Sequence, residues 1–146
     1  MQRHFLKRLE RLVVLGRYGQ KHPVFSTREV ARRGIETVLT EAWAIASRGV
    51  DGVYVTFDID SLELACAPGT GAAVSGGLTP WQAMDALFEL GGREEVVGFD
   101  LVEVDPSRDP QGITQRLANK LLLTFLAGLR TRSGVGSAES VRGEAP

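Results

Sequence analysis

The chain has one cysteine, Cys66, and so cannot form an internal disulfide. A lone thiol suits a reducing compartment, which makes the cytoplasm the expected location. Cys66 reads as a small packed side chain, since no histidine lies near it in sequence to activate a nucleophile. A basic excess is also missing. The net charge is −1, with 17 Lys and Arg against 18 Asp and Glu, whereas a nucleic-acid surface carries surplus cations. No apolar run approaches the roughly 20 residues that span a bilayer. No basic segment leading into an apolar stretch marks a secretory signal. Histidine is scarce, with only His4 and His22, and no repeat at a solenoid period is visible. What is present, 146 residues that are 43% hydrophobic and 24% charged, suits a single globular domain.

The stretch that organises the chain is Tyr54-Val55-Thr56-Phe57-Asp58-Ile59-Asp60-Ser61-Leu62, an apolar run ending in two aspartates one residue apart. In an extended strand, positions i and i+2 share a face, so Asp58 and Asp60 are expected side by side at the strand's carboxyl end. Ligands of open α/β sheets usually sit at that edge. Two like charges held close are costly without a cation or a shared proton, and half of a metal site is the economical reading.

Around this stretch the elements alternate. Residues 3 to 15 carry Phe5, Leu6, Leu9, Leu12 and Val13 at helical spacing, although 12 to 15 also suit a short strand. Val24-Phe25 reads as a brief strand, followed by a cap at Ser26 or Thr27 with Glu29 nearby. A helix from Gly34 to Gly49 has Ile35, Val38, Leu39, Ala42, Ile45 and Ala46 on one stripe. Strand 53–58 lacks clean polar alternation, which suits a strand covered on both faces. Residues 59 to 78 form a long, glycine-rich loop of a kind that is often functional. Thr79-Pro80-Trp81-Gln82 starts a helix with Trp81, Met84, Leu87 and Phe88 inward. Strand 96–101 runs into Asp100, Glu103 and Asp105, and a last helix spans about 113–130, apolar nearly all round from Leu121 to Ala127. Such a helix is buried on several sides or partly covers a subunit contact. Strand and helix in alternation give a parallel sheet with helices on both faces. Residues 1–130 form this domain, and 131–146, small and polar, read as a disordered tail.

Three features meet at one sheet edge: the Asp58/Asp60 pair, the loop with Gly69 and Gly71, and Glu103 just past the next strand. Each has a plain alternative. An Asp-x-Asp at a strand end also caps turns, glycine-rich loops are often only loops, and Glu103 suits a solvated strand end. The conjunction favours a site, because acids are rarely gathered without a cation.

These residues carry a resemblance. Phe57-Asp58-Ile59-Asp60-Ser61-Leu62, Ala67-Pro68-Gly69-Thr70-Gly71, Gly76-Gly77-Leu78-Thr79 and Gly98-Phe99-Asp100-Leu101-Val102-Glu103-Val104-Asp105-Pro106 resemble the carboxyl-terminal half of a ureohydrolase, the family of arginase, agmatinase and formimidoylglutamase. Upstream, Val24-Phe25-Ser26-Thr27-Arg28-Glu29-Val30 matches as well, so the likeness covers about residues 22–130. It implies a three-layer αβα fold with a mainly parallel sheet, here a partial domain, and a binuclear Mn2+ site hydrolysing a guanidino or formimino C–N bond. It makes Asp58 and Asp60 metal ligands, with Asp60 also catalytic. Thr70 becomes part of the active-site lining, and Glu103 the acceptor of the substrate's guanidinium. Agmatinase is the branch that the Ala67–Gly71 loop resembles most.

Two departures stand out. Glu63-Leu64 replaces the family's usual Asp-Pro, and the upstream histidine and Asp-x-His-x-Asp ligands have no counterpart here. The chain therefore reads as a partial ureohydrolase, expected to bind metal weakly alone and to associate with itself or with a complementary amino-terminal half. A catalytically inactive fragment or split subunit is the main alternative. A haloacid-dehalogenase-like phosphatase also uses Asp-x-Asp after a strand, but Ser61-Leu62 stands in place of its Gly-Thr.

Overall fold

The structure is a computed structural model that describes residues 11–12 and 23–133. Strand β1 (Arg11–Leu12) pairs antiparallel with β2 (Phe25–Ser26), placing Leu12 opposite Phe25. The helix expected over 3 to 15 is thus not a helix at 11 and 12, where pairing with a distant strand overrides local apolar spacing. The rest of that segment, with His4 and His22, lies outside the described residues.

Ser26 then caps helix α1 (Thr27–Arg33). Its hydroxyl accepts the Glu29 N–H at 3.2 Å, and the Glu29 carboxylate accepts the Ser26 N–H at 2.9 Å. Gly34, at φ 84°, turns the chain into α2 (Ile35–Ala46). That helix ends at Ala46, capped by Ser47, whose N–H and hydroxyl both bond the Trp43 carbonyl, and the chain turns away at the expected Gly49, which has φ 65°. Strand β3 (Val53–Asp58) follows, then a long loop, helix α3 (Pro80–Gly92), strand β4 (Val96–Val102) and helix α4 (Ile113–Leu129). The start of α3 is the expected one: Thr79 Oγ1 accepts the Gln82 N–H, Gln82 Oε1 accepts the Thr79 N–H, and Pro80 leads the first turn.

β3 and β4 are parallel neighbours, paired from Val53 opposite Val96 to Asp58 opposite Val102, with one register shift after Val53. Val53, Val55 and Phe57 are buried in one cluster with side chains of α2, α3 and α4. Phe99 joins them by stacking on Phe125 of α4, with ring centroids 4.1 Å apart. The opposite side of β3 is open, with Tyr54 59% exposed. Within this chain β3 therefore alternates, where cover on both faces was expected. Two further expectations are corrected on α3. Leu87 is fully buried, but Trp81 and Phe88 face outward, 73% and 46% exposed. They stand over an open groove of about 810 Å³ that Ile35, Leu39 and Met84 also line. On α4, Leu121 and Phe125 are buried while Leu122, Leu123 and Leu126 remain exposed, so the helix buries one stripe only.

The α3–α4 crossing depends on two glycines. A Cβ on Gly91 would stand 2.2 Å from the Phe125 carbonyl oxygen, and one on Gly128 would stand 2.1 Å from that of Phe88. Past α4, Arg132 donates to the carbonyls of Gly91 (2.8 Å) and Val96 (3.0 Å), and the Ser133 N–H bonds Glu94. The first residues of the expected disordered tail are thus tied to the fold, and 134–146 lie outside the described residues. Among the described residues no helix is long and apolar enough to cross a membrane.

Ordinarily Gly to Ala inside a helix stabilises by about 1 kcal/mol. At Gly128 the sign reverses, because the new methyl group meets backbone that cannot move without separating the helices. Overpacking of this kind costs about 1–3 kcal/mol. Urea denaturation of Gly128→Ala, followed by far-UV circular dichroism, is expected to show that loss. A neutral or stabilised variant would mean the helices do not touch here.

Candidate functional site

β3 and β4 end level with each other, and the chemistry gathers where they stop. Asp58 is the last residue of β3 and lies opposite Val102, so Glu103 leaves β4 directly beside it. Extended backbone does not continue through Asp60. Ile59–Ser61 form a single 3₁₀ turn, capped by Asp58, whose Oδ1 accepts the Asp60 N–H at 3.1 Å. The Ser61 hydroxyl donates to the Asp58 carbonyl at 2.7 Å, and Ile59, fully buried, anchors the turn. The two aspartates are therefore neighbours across a strand–turn junction. The shared strand face expected from alternation does not apply, because the cap bends the backbone after Asp58.

The loop after this turn has structure of its own. Leu62 bridges to Leu78 and Glu63 to Val74, with Leu62 and Leu78 both buried. Gly77 lies so close to Leu62 that a Cβ would be 2.3 Å from its carbonyl carbon. The Glu63-Leu64 departure has a local explanation here. The Glu63 carboxylate accepts the Gly76 N–H at 2.7 Å, and the Leu64 N–H donates to Val74 O at 3.2 Å. A proline at 64 has no N–H to make that bond.

Thr70 is 3% exposed and its Oγ1 has no hydrogen-bond partner among the described residues. A buried hydroxyl left without a partner calls for an explanation, a bound group among them. Its neighbour Gly69 is held on two sides, by Thr114 Oγ1 accepting its N–H (2.7 Å) and by the Asp105 N–H donating to its carbonyl (2.8 Å). Glu103 is exposed and has φ 66°, the one non-glycine residue with positive φ among the described residues. For a glutamate this backbone region costs about 1–3 kcal/mol and is kept where the surroundings over-determine it, often at a binding site.

Further back along the two strands, the Tyr54 hydroxyl donates to Asp100 Oδ2 at 3.1 Å, while the buried Asp100 Oδ1 has no partner among the described residues. The bond to Asp100, then desolvation and the Asp100 charge, push the Tyr54 hydroxyl above its ordinary pKa. Asp105 caps the turn Pro106–Arg108. The Ser107 hydroxyl first, then the Ser107 N–H and the Arg108 guanidinium, hold its carboxyl below the usual range.

Sequence reasoning missed Asp109 and Thr114. Asp109 is buried, and its two oxygens accept the N–H groups of Ile113 (2.8 Å) and Gln115 (2.9 Å) at the start of α4. Burial alone would push this carboxyl up, but the bonds from Gln115, Thr114 and Ile113 outweigh it and hold it low. A carboxyl depressed in this way adds stability at neutral pH that fades as pH falls through its folded pKa. The available signal was Gly112, which leaves α4 without a side chain at its cap position and so calls for an acceptor upstream.

The arrangement offers carboxylates and a hydroxyl around the ends of two parallel strands, suited to a hard cation and to a planar organic cation. It does not amount to a complete two-metal centre. Among the described residues no group of three or more His, Cys, Asp or Glu is placed to hold a metal ion.

Comparison with known proteins gives the chain its relatives. The sequence pattern of the Arginase family matches residues 14–128. The formimidoylglutamase of Halalkalibacterium halodurans is 40% identical over 114 residues, 77% of this chain and 36% of that protein. The agmatinase of Chromobacterium violaceum is 45% identical over 85 residues, 58% of this chain and 26% of that protein. The crystal structure of the formiminoglutamase of Trypanosoma cruzi, solved with Mn2+, superposes with a TM-score of 0.66 at 27% identity, covering 73% of this chain and 35% of that one. The chain thus spans about a third or less of the length of these proteins. With the family pattern covering most of its residues and the α/β architecture matching, the chain belongs to the arginase family.

Proposed function

We propose that this chain is the carboxyl-terminal part of a ureohydrolase resembling agmatinase, and that by itself it does not turn over a guanidino substrate. The observation that carries the reading is the level ending of β3 and β4, with Asp58 opposite Val102 and Glu103 the next residue. In this reading Asp58 and Asp60 supply two carboxylate ligands for Mn2+, Asp60 serving catalysis as well, and the remaining ligands come from outside residues 23–133. The metal, when bound, supplies Lewis-acid polarisation and an activated water. Glu103 holds the guanidinium as a charge-assisted pair, and Thr70, buried in the adjoining loop, lines the same pocket. The family match favours this chemistry over a phosphatase. A cytoplasmic setting fits the single cysteine.

The companion reading is a split subunit, or a fragment without turnover that keeps the fold. Its support is the surface. Among the described residues β3 and β4 form a sheet of their own, and Tyr54, Val97 and Leu123 are more than half exposed. Unpaired strand edges and apolar faces favour association, so the chain is proposed to self-associate or to take a complementary amino-terminal half.

Hard octahedral cations call for about six ligands each, more than two carboxylates can give. Purified alone at saturating Mn2+, the chain is expected to release no urea or ammonia from agmatine or arginine. Turnover is expected only after adding a separately expressed amino-terminal half of a relative. Robust turnover by the chain alone would overturn the proposal. Calorimetric titration with Mn2+ is expected to show weaker binding by Asp58→Asn than by the parent, and equal binding would remove Asp58 from the ligand set. In the reconstituted assembly Glu103→Gln loses a bond to a charged group, worth about 1.5–3 kcal/mol. The specificity constant for a guanidino substrate should then fall by about tenfold or more. An unchanged constant would leave Glu103 as a strand end only.

A further inference from the structure

The two loops that carry Thr70 and Glu103 meet at one residue. Gly69 donates to Thr114 Oγ1 at 2.7 Å and accepts from the Asp105 N–H at 2.8 Å, two residues beyond Glu103. No side chain fits there, since a Cβ on Gly69 would stand 2.5 Å from Asp109 Cβ and 2.9 Å from Thr114 Oγ1. Thr114 is fully buried in the first turn of α4. Gly112, at the cap position, gives that turn no side-chain acceptor, and Asp109 takes over by accepting the Ile113 and Gln115 N–H groups. First-turn N–H groups need such partners, so Asp109 fixes where α4 begins and with it where the Thr114 hydroxyl is presented.

We infer that Thr114 and Asp109 are positioning residues, which lock the Thr70 loop to the Glu103 turn through Gly69 so that the two groups keep one spacing. The inference rests on the reading of Thr70 and Glu103 as groups that face a guanidino substrate. The lock has a physical purpose. Glu103 holds a backbone conformation that its type avoids, and such a residue persists only where its neighbours over-determine it. After Glu103, Val104 packs against the core and the Asp105 N–H is anchored on the Gly69 carbonyl. A displacement of about 1 Å at a reacting group can cost roughly a hundredfold in rate, so a shared anchor matters more than either hydrogen bond's own strength.

Thr114→Val removes the acceptor and keeps the shape, while Thr114→Ser keeps the acceptor. Amide hydrogen exchange on the chain by NMR reads the lock directly. In Thr114→Val the Gly69 and Asp105 amides are expected to exchange at least tenfold faster relative to those of Leu87 and Leu121 in the packed helices, with Thr114→Ser close to the parent. Uniform acceleration at all four amides, or none at Gly69 and Asp105, would overturn the lock. Should Thr114→Val fail to fold, Asp109→Asn, which keeps its shape and one acceptor oxygen, is read in the same way. A titration with n-butylguanidinium, followed at the Glu103 amide, tests the substrate side. The affinity is expected to fall at least threefold in Thr114→Val and to hold in Thr114→Ser, and equal affinity in both would overturn the positioning role. If the parent shows no saturable shift, or Glu103→Gln leaves the shift intact, the substrate reading fails, and the exchange data still decide the lock.

Discussion

Everything chemical in this chain depends on two parallel strands stopping at the same height. Parallel neighbours cannot be joined by a tight turn and need a crossover, and here α3 makes it, tucked against α4 on the buried side of the sheet. That burial fixes the strands' relative position: Val53, Val55 and Phe57 lie in the helix-lined core, and Phe99 stacks on Phe125. A slip of one residue would turn these side chains out and flip the acids with them. The core thus sets the alignment that brings Asp58 and Glu103 to one edge.

At that edge the structure tolerates features that a purely stabilising design avoids. Glu103 adopts a left-handed backbone, and among the described residues the buried Thr70 hydroxyl and one buried oxygen of Asp100 have no hydrogen-bond partner. Each is unfavourable by itself, and such exceptions are expected at functional sites. The surrounding hydrogen bonds offset them. Asp58 caps the turn that carries Asp60, Glu63 and Leu64 tie the loop to Gly76 and Val74, and Asp109 anchors α4.

Features written in short spans were legible from the residues. The boxes at Ser26/Glu29 and Thr79/Gln82 are made within four residues, and the structure holds both. The β3 and β4 strands and α4 were equally plain, because long apolar patterns outweigh local ambiguity. What was not legible depends on partners far along the chain. Arg11-Leu12 is a strand because Phe25-Ser26 lies beside it. Trp81 and Phe88 are apolar, yet the pattern does not say which part of a wide apolar stripe meets the core. Glutamate is no residue for a left-handed turn, so the Glu103 conformation left no mark in its type. Asp109 serves N–H groups four and six residues away, beyond any capping motif. Asp58 and Asp60 stand out by type and spacing, although the turn that Asp58 caps does not.

The glycine contact between α3 and α4 also bears on the entropy of closing the chain. Gly91 and Gly128 are 37 positions apart, and α3 and α4 make the most extensive contact between any two elements, with β4 lying between them in sequence. Closing a loop of this length is entropically inexpensive, since each doubling adds only about 0.6 kcal/mol. The helix–strand–helix segment from Pro80 to Leu129 can therefore close on itself at little entropic cost, and β3 closes on β4 over a similar span, Val53 pairing with Val96 and Asp58 with Val102.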